Sequence, residues 1–340
     1  MATAHDGRYA PSPSGELHLG NLRTALVAWC SARACGGTLL LRIDDLDPDR
    51  SREAFVESQL EDLRLLGIDW DGEPQRQSTR RARYADALRQ LDQLGTTYPC
   101  FCSRADVRAA ATAPHGSGNG PPAAAGCAGV PGELRYPGTC ARLDTATAAA
   151  RVAAGEPYCL RLRADGAVRG FDDALLGRVD AVVDDVVVRR RDGVAAYNLA
   201  TTVDDHDAAI TELVRGADLA PSTAVQLLLA ELLDLAAPTR FAHVPLVLGP
   251  DGARLAKRHG AASLGELAQR GITVDRVRAL LAVSIGIDVA GELLGDLSDL
   301  PATFDLARVP RGAVRIDPDA LALGAGWRDI VVDTSNDPDR

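Results

Sequence analysis

Two short stretches far apart in the chain carry residue types suited to phosphate chemistry. The first, GRYAPSPSGELHLGNLRTAL (Gly7 to Leu26), sets Gly15, His18 and Gly20 immediately ahead of a helix-forming run. Glycine lets backbone approach a bound group closely. A helix starting at Asn21 offers unpaired N–H groups and a positive dipole end, which suit a phosphate. His18, one turn earlier, is placed to donate a hydrogen bond to a phosphoryl oxygen as charge develops there. The second stretch, ARLAKRHG (Ala253 to Gly260), follows a strand pattern and sets Lys257 in a loop, where its ammonium acts as a mobile point charge. Taken singly, a Pro-Gly turn, a surface histidine or an exposed lysine would account for each.

The elements that must position these residues alternate strand, helix, strand, helix, helix, the pattern of a parallel sheet with crossover helices. RYA reads as a strand, NLRTALVAWCSARAC as a helix closed by Gly36-Gly37, and TLLLRI as a strand. Two helices follow, with Ser51 and Ser78 as N-caps and Gly67 and Gly95 past their ends. Residues 111–133, rich in Gly, Pro and Ala, read as a flexible surface insertion. After a helix near Ala141 to Ala154, YCLRLRA, RVDAVV and VVVRRRDG read as strands, and AAITELVRG returns to the sheet. TAVQLLLAELLD reads as a buried helix and FAHVPLVLG as a strand. In such a sheet, ligands sit past the carboxyl ends of strands, where residues 11–20 fall.

The chain has 340 residues, is 46% apolar and carries a net charge of −10. That charge argues against a protein that coats nucleic acid non-specifically, since phosphate binding draws on Lys and Arg. The runs RQSTRRARY (Arg76 to Tyr84) and RRR (Arg189 to Arg191) read first as solvated faces. No apolar run spans a membrane and no signal peptide opens the sequence, so a cytoplasmic protein without membrane contact is expected. Seven scattered cysteines argue against a disulfide framework and leave metal binding or burial.

Together, RYAPSPSGELHLGN and RLAKRHG resemble the two signatures of class I aminoacyl-tRNA synthetases, and LLLRIDDLDPDRS and AAYNLATTVDDH…ITELVRGADL are similar to the glutamyl subgroup. The similarity covers roughly Gly7 to Gly260. It is strongest to a short paralogue without the anticodon-binding region, which attaches glutamate to the queuosine base of tRNA(Asp) rather than to a tRNA 3′ end. The short stretch after Gly260 agrees with that choice. Further readings are a truncated enzyme charging the 3′ end and a silent paralogue that only binds.

The resemblance implies an α/β fold, a Rossmann-type parallel-sheet catalytic domain with an inserted zinc-binding, acceptor-type subdomain and a small helical C-terminal region. Residues 1–98 and 193–260 would form the catalytic halves, 99–192 the insertion, 261–332 the helical region and 333–340 a disordered tail. It implies that Arg8, Ala10, Ser12, Asp44, Tyr197 and Arg215 line a glutamate pocket. A guanidinium grips a carboxylate with two parallel hydrogen bonds, which suits Arg8 and Arg215, and Asp44 suits the ammonium. The family usually reads RIED where this chain reads RIDD, so the Asp44 carboxylate is withdrawn by one methylene. His18, Gly20, Asn21, Arg254 and Lys257 would meet ATP, with His18 and Lys257 catalytic. Arg254 stands where the family usually has Lys, and Ala256 where it has Ser.

Implied partners are L-glutamate, ATP with Mg²⁺ and queuosine-bearing tRNA(Asp), for a monomeric enzyme. The family's C-x-C…Y-x3-C pattern implies one structural zinc on Cys100, Cys102, Tyr136 and Cys140, with Cys127 inside the gap as a competing ligand. Cys30, Cys35 and Cys159 read as core.

Overall fold

The computed structural model describes residues 4–112, 135–253, 255, 263–291, 293–322, 326 and 331–333. Strand β1 (Gly7–Tyr9) leads into helix α1 (Leu19–Ala34), which returns the chain to β2 (Leu39–Ile43); α2 (Glu53–Leu66) crosses to β3 (Gln75–Arg76). These three strands are parallel, in the order β1-β2-β3. Gly67, at φ 89°, ends α2 in the left-handed region that favours glycine. The expected N-caps are corrected. Arg52 precedes α2 and makes no side-chain cap. The 3-10 turn Gln77–Arg80 runs into α3 (Arg81–Gln93), and Ser78 is instead held by Asp45, N–H and hydroxyl each at 2.7 Å.

The second sheet contains β4 (Thr97–Cys100), β5 (Cys159–Leu162) and β8 (Val187–Arg189), all antiparallel, with α4 (Arg104–Thr112) and α5 (Thr145–Ala153) nearby in sequence. The hairpin β6 (Val168–Asp173) and β7 (Gly177–Val182) lies within 99–192 yet joins the other half of the molecule. Asp173 pairs with Phe241 in β10 (Arg240–Val244), and β10 runs parallel to β9 (Glu212–Gly216). Thr211 and Glu212 donate their N–H groups to the Asp6 carbonyl at 2.9 and 3.1 Å, which sets β9 beside β1. The parallel strands thus carry their loops to one edge, as the strand-helix alternation requires. Helices α6 (Tyr197–Asp207) and α7 (Ala220–Leu232) connect this half.

The C-terminal region is not helical alone. After α8 (Leu264–Gln269) and α9 (Val274–Ser284), β12 (Val314–Ile316) pairs with β11 (Val247–Leu248) and with β13 (Val331–Asp333). Asp333, expected in the tail, is in that ladder; 334–340 lie outside the described residues, as do 113–134 of the expected flexible insertion. Leu267, Leu280 and Ile316 share one buried core with Leu22, Leu26 and Leu41, so α8, α9 and β12 close over the same apolar centre as α1 and β2. Arg23, fully buried in α1, donates to the Ser284 carbonyl from Nε and Nη2 at 3.2 and 3.1 Å and to the Pro245 carbonyl at 2.7 Å.

The arginine run at 76–83 is mostly engaged within the fold: Arg76 on Glu53 at 2.8 Å, Arg80 on buried Asp204 at 2.7 Å, Arg83 on Asp207 at 2.9 Å. No described helix is long and apolar enough to cross a membrane.

Candidate active site

A cavity of about 400 Å³ opens between the loop after β1 and the carboxyl ends of β9 and β10. Arg8, Ala10, Ser12, His18, Gly20, Asn21, Tyr197 and Arg215, eight of the residues singled out from sequence, line it.

The loop from Pro11 to Gly20 is built from within. Gln59 of α2, 1% exposed, donates to the carbonyls of Ser12 and Gly15 at 3.1 and 2.6 Å and so holds the turn against the helix. His18 is the N-cap of α1. Its Nδ1 accepts from the N–H groups of Gly20 and Asn21 at 3.1 and 3.3 Å, while its own N–H donates to Asn21 Oδ1 at 3.2 Å. The two helix amides expected to meet a phosphate are thus bonded to the imidazole in this structure. Because Nδ1 accepts, a neutral ring carries its proton on Nε2. A Cβ at Gly20 would stand 3.1 Å from His18 Cε1, so glycine there makes room for the imidazole.

The opposite wall is a network of arginines. Arg8 donates to buried Asp205 from Nε and Nη2 at 3.1 and 3.3 Å, and Arg42 reaches the same carboxylate at 2.6 Å. Burial opposes ionisation of Asp205, but the charges of Arg8 and Arg42 keep its pKa below the ordinary carboxylate value. Asp44, expected from sequence in the glutamate pocket, is not among the residues that line this cavity. Its N–H donates to the Pro11 carbonyl at 3.0 Å, and its carboxylate is held by Arg42 Nε at 2.7 Å. Burial raises its pKa above the usual range against the pull of Arg42.

Arg215 is different. It is 4% exposed and lines the cavity, but no carboxylate among the described residues lies within ion-pair distance. Its partners are neutral: His243 Nε2 accepts from Nε at 3.2 Å, Tyr197 Oη from Nη1 at 3.2 Å and Thr223 Oγ1 from Nη2 at 2.7 Å. A guanidinium has five N–H groups. Three are partnered here, leaving one on each terminal nitrogen, the number a carboxylate takes in bidentate pairing. Burial draws the Arg215 pKa below the ordinary arginine value, as it does for a desolvated cation.

Gln59, Thr223, His243 and Asp173 escaped the sequence reading, since they belong to elements that meet only in the folded chain. Arg254, Ala256 and Lys257 lie outside the described residues; Leu255 between them is buried and lines the cavity.

The cysteines form a separate cluster. The sulfurs of Cys100, Cys102 and Cys140 lie within 4.8 Å of one another, with 3.5 Å between Cys102 and Cys140. The Tyr136 hydroxyl is 3.3 Å from the Cys100 sulfur and 3.8 Å from that of Cys102. Tetrahedral zinc with sulfur ligands at about 2.3 Å sets those sulfurs roughly 3.8 Å apart. Three sulfurs and one oxygen at these spacings fit such an ion. A hydrogen bond with Cys159 leads the causes that pull Cys100 down to about 4, joined by Tyr136 and Arg161, while burial pushes Cys102 up to about 11. Arg161 stacks over the Tyr136 ring at 3.8 Å. Cys127 lies outside the described residues; Cys30 is fully buried in the main core and Cys159 is buried in the cluster's own core.

The Rossmann-type sheet, the His18 loop and the arginine wall agree with a family match over residues 6–284 to the class I tRNA synthetase (E and Q) catalytic domain, and the chain belongs to that family. Among its relatives is the Glutamyl-Q tRNA(Asp) synthetase of Nocardia farcinica, 50% identical over 90% of this chain and 91% of that protein. The Glutamyl-Q tRNA(Asp) synthetase of Symbiobacterium thermophilum is 43% identical over 94% of this chain and 98% of that protein. Of solved structures, a glutamate tRNA ligase from Elizabethkingia meningosepticum, in complex with its amino acid, superposes with a TM-score of 0.75 at 25% identity, over 94% of this chain and 68% of that one.

Proposed function

We propose that this chain activates L-glutamate with ATP, without needing tRNA, and transfers the glutamyl group to the queuosine base of tRNA(Asp) in the cytoplasm. The observation that carries the reading is Arg215: a buried cation in a cavity wall, fixed by neutral partners, with donors left for one carboxylate. The names and near full-length coverage of the two Glutamyl-Q relatives support the acceptor.

In this reading Arg215 and Tyr197 hold the side-chain carboxylate of glutamate, with Arg8, Ala10 and Ser12 completing the pocket. The ammonium lies by the Pro11–Ser12 turn, with Asp44, whose N–H is bonded to the Pro11 carbonyl, as its carboxylate partner. An Asp already gripped by Arg42 keeps further lone pairs, so it accepts from the ammonium as well. The glutamate α-carboxylate attacks the α-phosphorus of ATP in line, and pyrophosphate leaves. A hydroxyl of the queuosine cyclopentene ring then attacks the mixed anhydride and releases AMP. Positioning and charge stabilisation do the catalysis. His18 supplies an N–H at the transferring phosphate, and Arg254 and Lys257 supply positive charge. Mg²⁺ bound with ATP would supply charge neutralisation at its phosphates.

Cys100, Cys102, Cys140 and Tyr136 would hold a structural zinc ion, whose chemistry there would be to cross-link the segments that carry them.

ATP–pyrophosphate exchange over a panel of amino acids, with no tRNA added, tests activation: glutamate alone should support exchange. Transfer of labelled glutamate is then compared on tRNA(Asp) with and without queuosine. Exchange that needs tRNA(Glu), or equal charging of both tRNA(Asp) forms, would overturn this assignment.

A further inference from the structure

Behind Arg215 stand two fully buried residues that the reaction itself does not use, Asp173 at the end of β6 and His243 in β10. The Asp173 carboxylate has one orientation. Oδ1 accepts from the N–H groups of Leu175 and Leu176, both at 2.9 Å, and Oδ2 lies 2.6 Å from His243 Nδ1. The His243 backbone N–H closes onto both oxygens at 3.2 and 3.1 Å. An ionised carboxylate only accepts, so the imidazole proton sits on Nδ1 and Nε2 is left as an acceptor. That nitrogen receives Arg215 Nε, and Thr223 Oγ1 stands 3.0 Å from it. The Phe171 ring covers the imidazole at 5.6 Å between centroids.

We infer that Asp173 and His243 are positioning residues that aim the Arg215 guanidinium at the substrate carboxylate while leaving its charge uncancelled. A carboxylate set directly on Arg215 would hold it as firmly. It would also neutralise the cation and compete with the ligand for the same donors. An imidazole interposed between the two supplies an acceptor in the right place without a charge. Burial draws the His243 pKa below its ordinary value, which keeps the ring neutral in support of this arrangement. The inference rests on the reading of the cavity as an amino-acid site.

Asp173→Asn tests it. Two backbone N–H groups keep the amide oxygen on their side, so the amide nitrogen faces His243 Nδ1 and forces the ring proton to Nε2, donor against donor with Arg215. The expected results are an imidazole ¹⁵N spectrum shifted from the Nδ1–H to the Nε2–H tautomer and a melting temperature near that of wild type. In exchange assays KM for glutamate should rise about tenfold or more, with kcat and KM for ATP changed less than about threefold. His243→Gln, which returns an acceptor near Nε2, should keep most of the glutamate affinity, whereas His243→Leu should lose it. A switched tautomer with unchanged KM overturns the inference. So does a loss of kcat, both KM values and melting temperature together, and so does a wild-type ring protonated on Nε2. Failure of the amino-acid reading shows separately, as wild-type protein that performs no glutamate exchange while its tautomer is still read directly.

Discussion

At the scale of single residues, the adjacent pair Asp44 and Asp45 shows how an extended segment divides labour. Side chains alternate along such a segment; Asp44 turns to Arg42 beside the cavity, and Asp45 turns to Ser78 at the start of the α3 turn. Asp44→Ala should lower glutamate exchange by about a hundredfold or more, since a desolvated ammonium loses its carboxylate. Asp45→Ala should leave KM for glutamate near wild type and lower the melting temperature, so equal kinetic damage from both would contradict the division. That alternation was legible in RIDD alone. The Arg215 backing was not, because His243 and Asp173 lie 70 residues apart and nothing local marks either as a partner of the other. A second residue matters to pH. Burial, followed by the charges of Glu16 and Glu61, pushes Asp62 up to about 7 from 3.8. Between pH 4 and 7 the unfolded chain releases this proton first, so stability falls as pH rises through that window. Asp62→Asn should therefore stabilise the protein at pH 8 by on the order of 1 kcal/mol and do nothing at pH 4. Thermal melts at the two pH values read the difference, and an equal gain at both would refute the cause.

Among elements, α1 is the one on which the rest depends. The sequence showed it through a dense apolar run between a Gly-rich loop and Gly36-Gly37, and α2 through Gly67. It misplaced the caps at Ser51 and Ser78, since a serine before a helix satisfies many partners and local pattern does not say which. It also missed that the C-terminal region brings strands to β11, because three-residue strands carry too few alternating positions to read. What it could not show is Arg23, a cation inside an apolar helix face, whose guanidinium closes the end of α9 and fixes Pro245 beside the cavity. Arg23→Met keeps the volume but orphans buried carbonyl groups at Ser284 and Pro245. The expected cost is about 2–4 kcal/mol in denaturant unfolding, with weakened ATP use because the segment leading to Lys257 loses its anchor. A variant of unchanged stability would show that the contact contributes little.

For the whole molecule, the cysteine cluster predicts about one zinc per chain in protein purified without chelator, lost in Cys102→Ser and measurable by elemental analysis. Absence of metal from the wild-type protein would leave the sulfurs as packed thiols. The larger consequence belongs to the β6–β7 hairpin. Asp173, which backs Arg215 through His243, is carried on a stretch of chain between two strands of the cysteine-bearing sheet. Residues 99–192 therefore cannot be traded as a cassette. A chimera that takes all of them from a distant relative also replaces the rear support of Arg215, and should bind glutamate more weakly even if its new insertion folds and takes up metal. One that retains residues 168–182 of this chain should keep its affinity. Recombination, in the laboratory or in evolution, thus meets a seam that follows the hairpin rather than the apparent edges of the insertion.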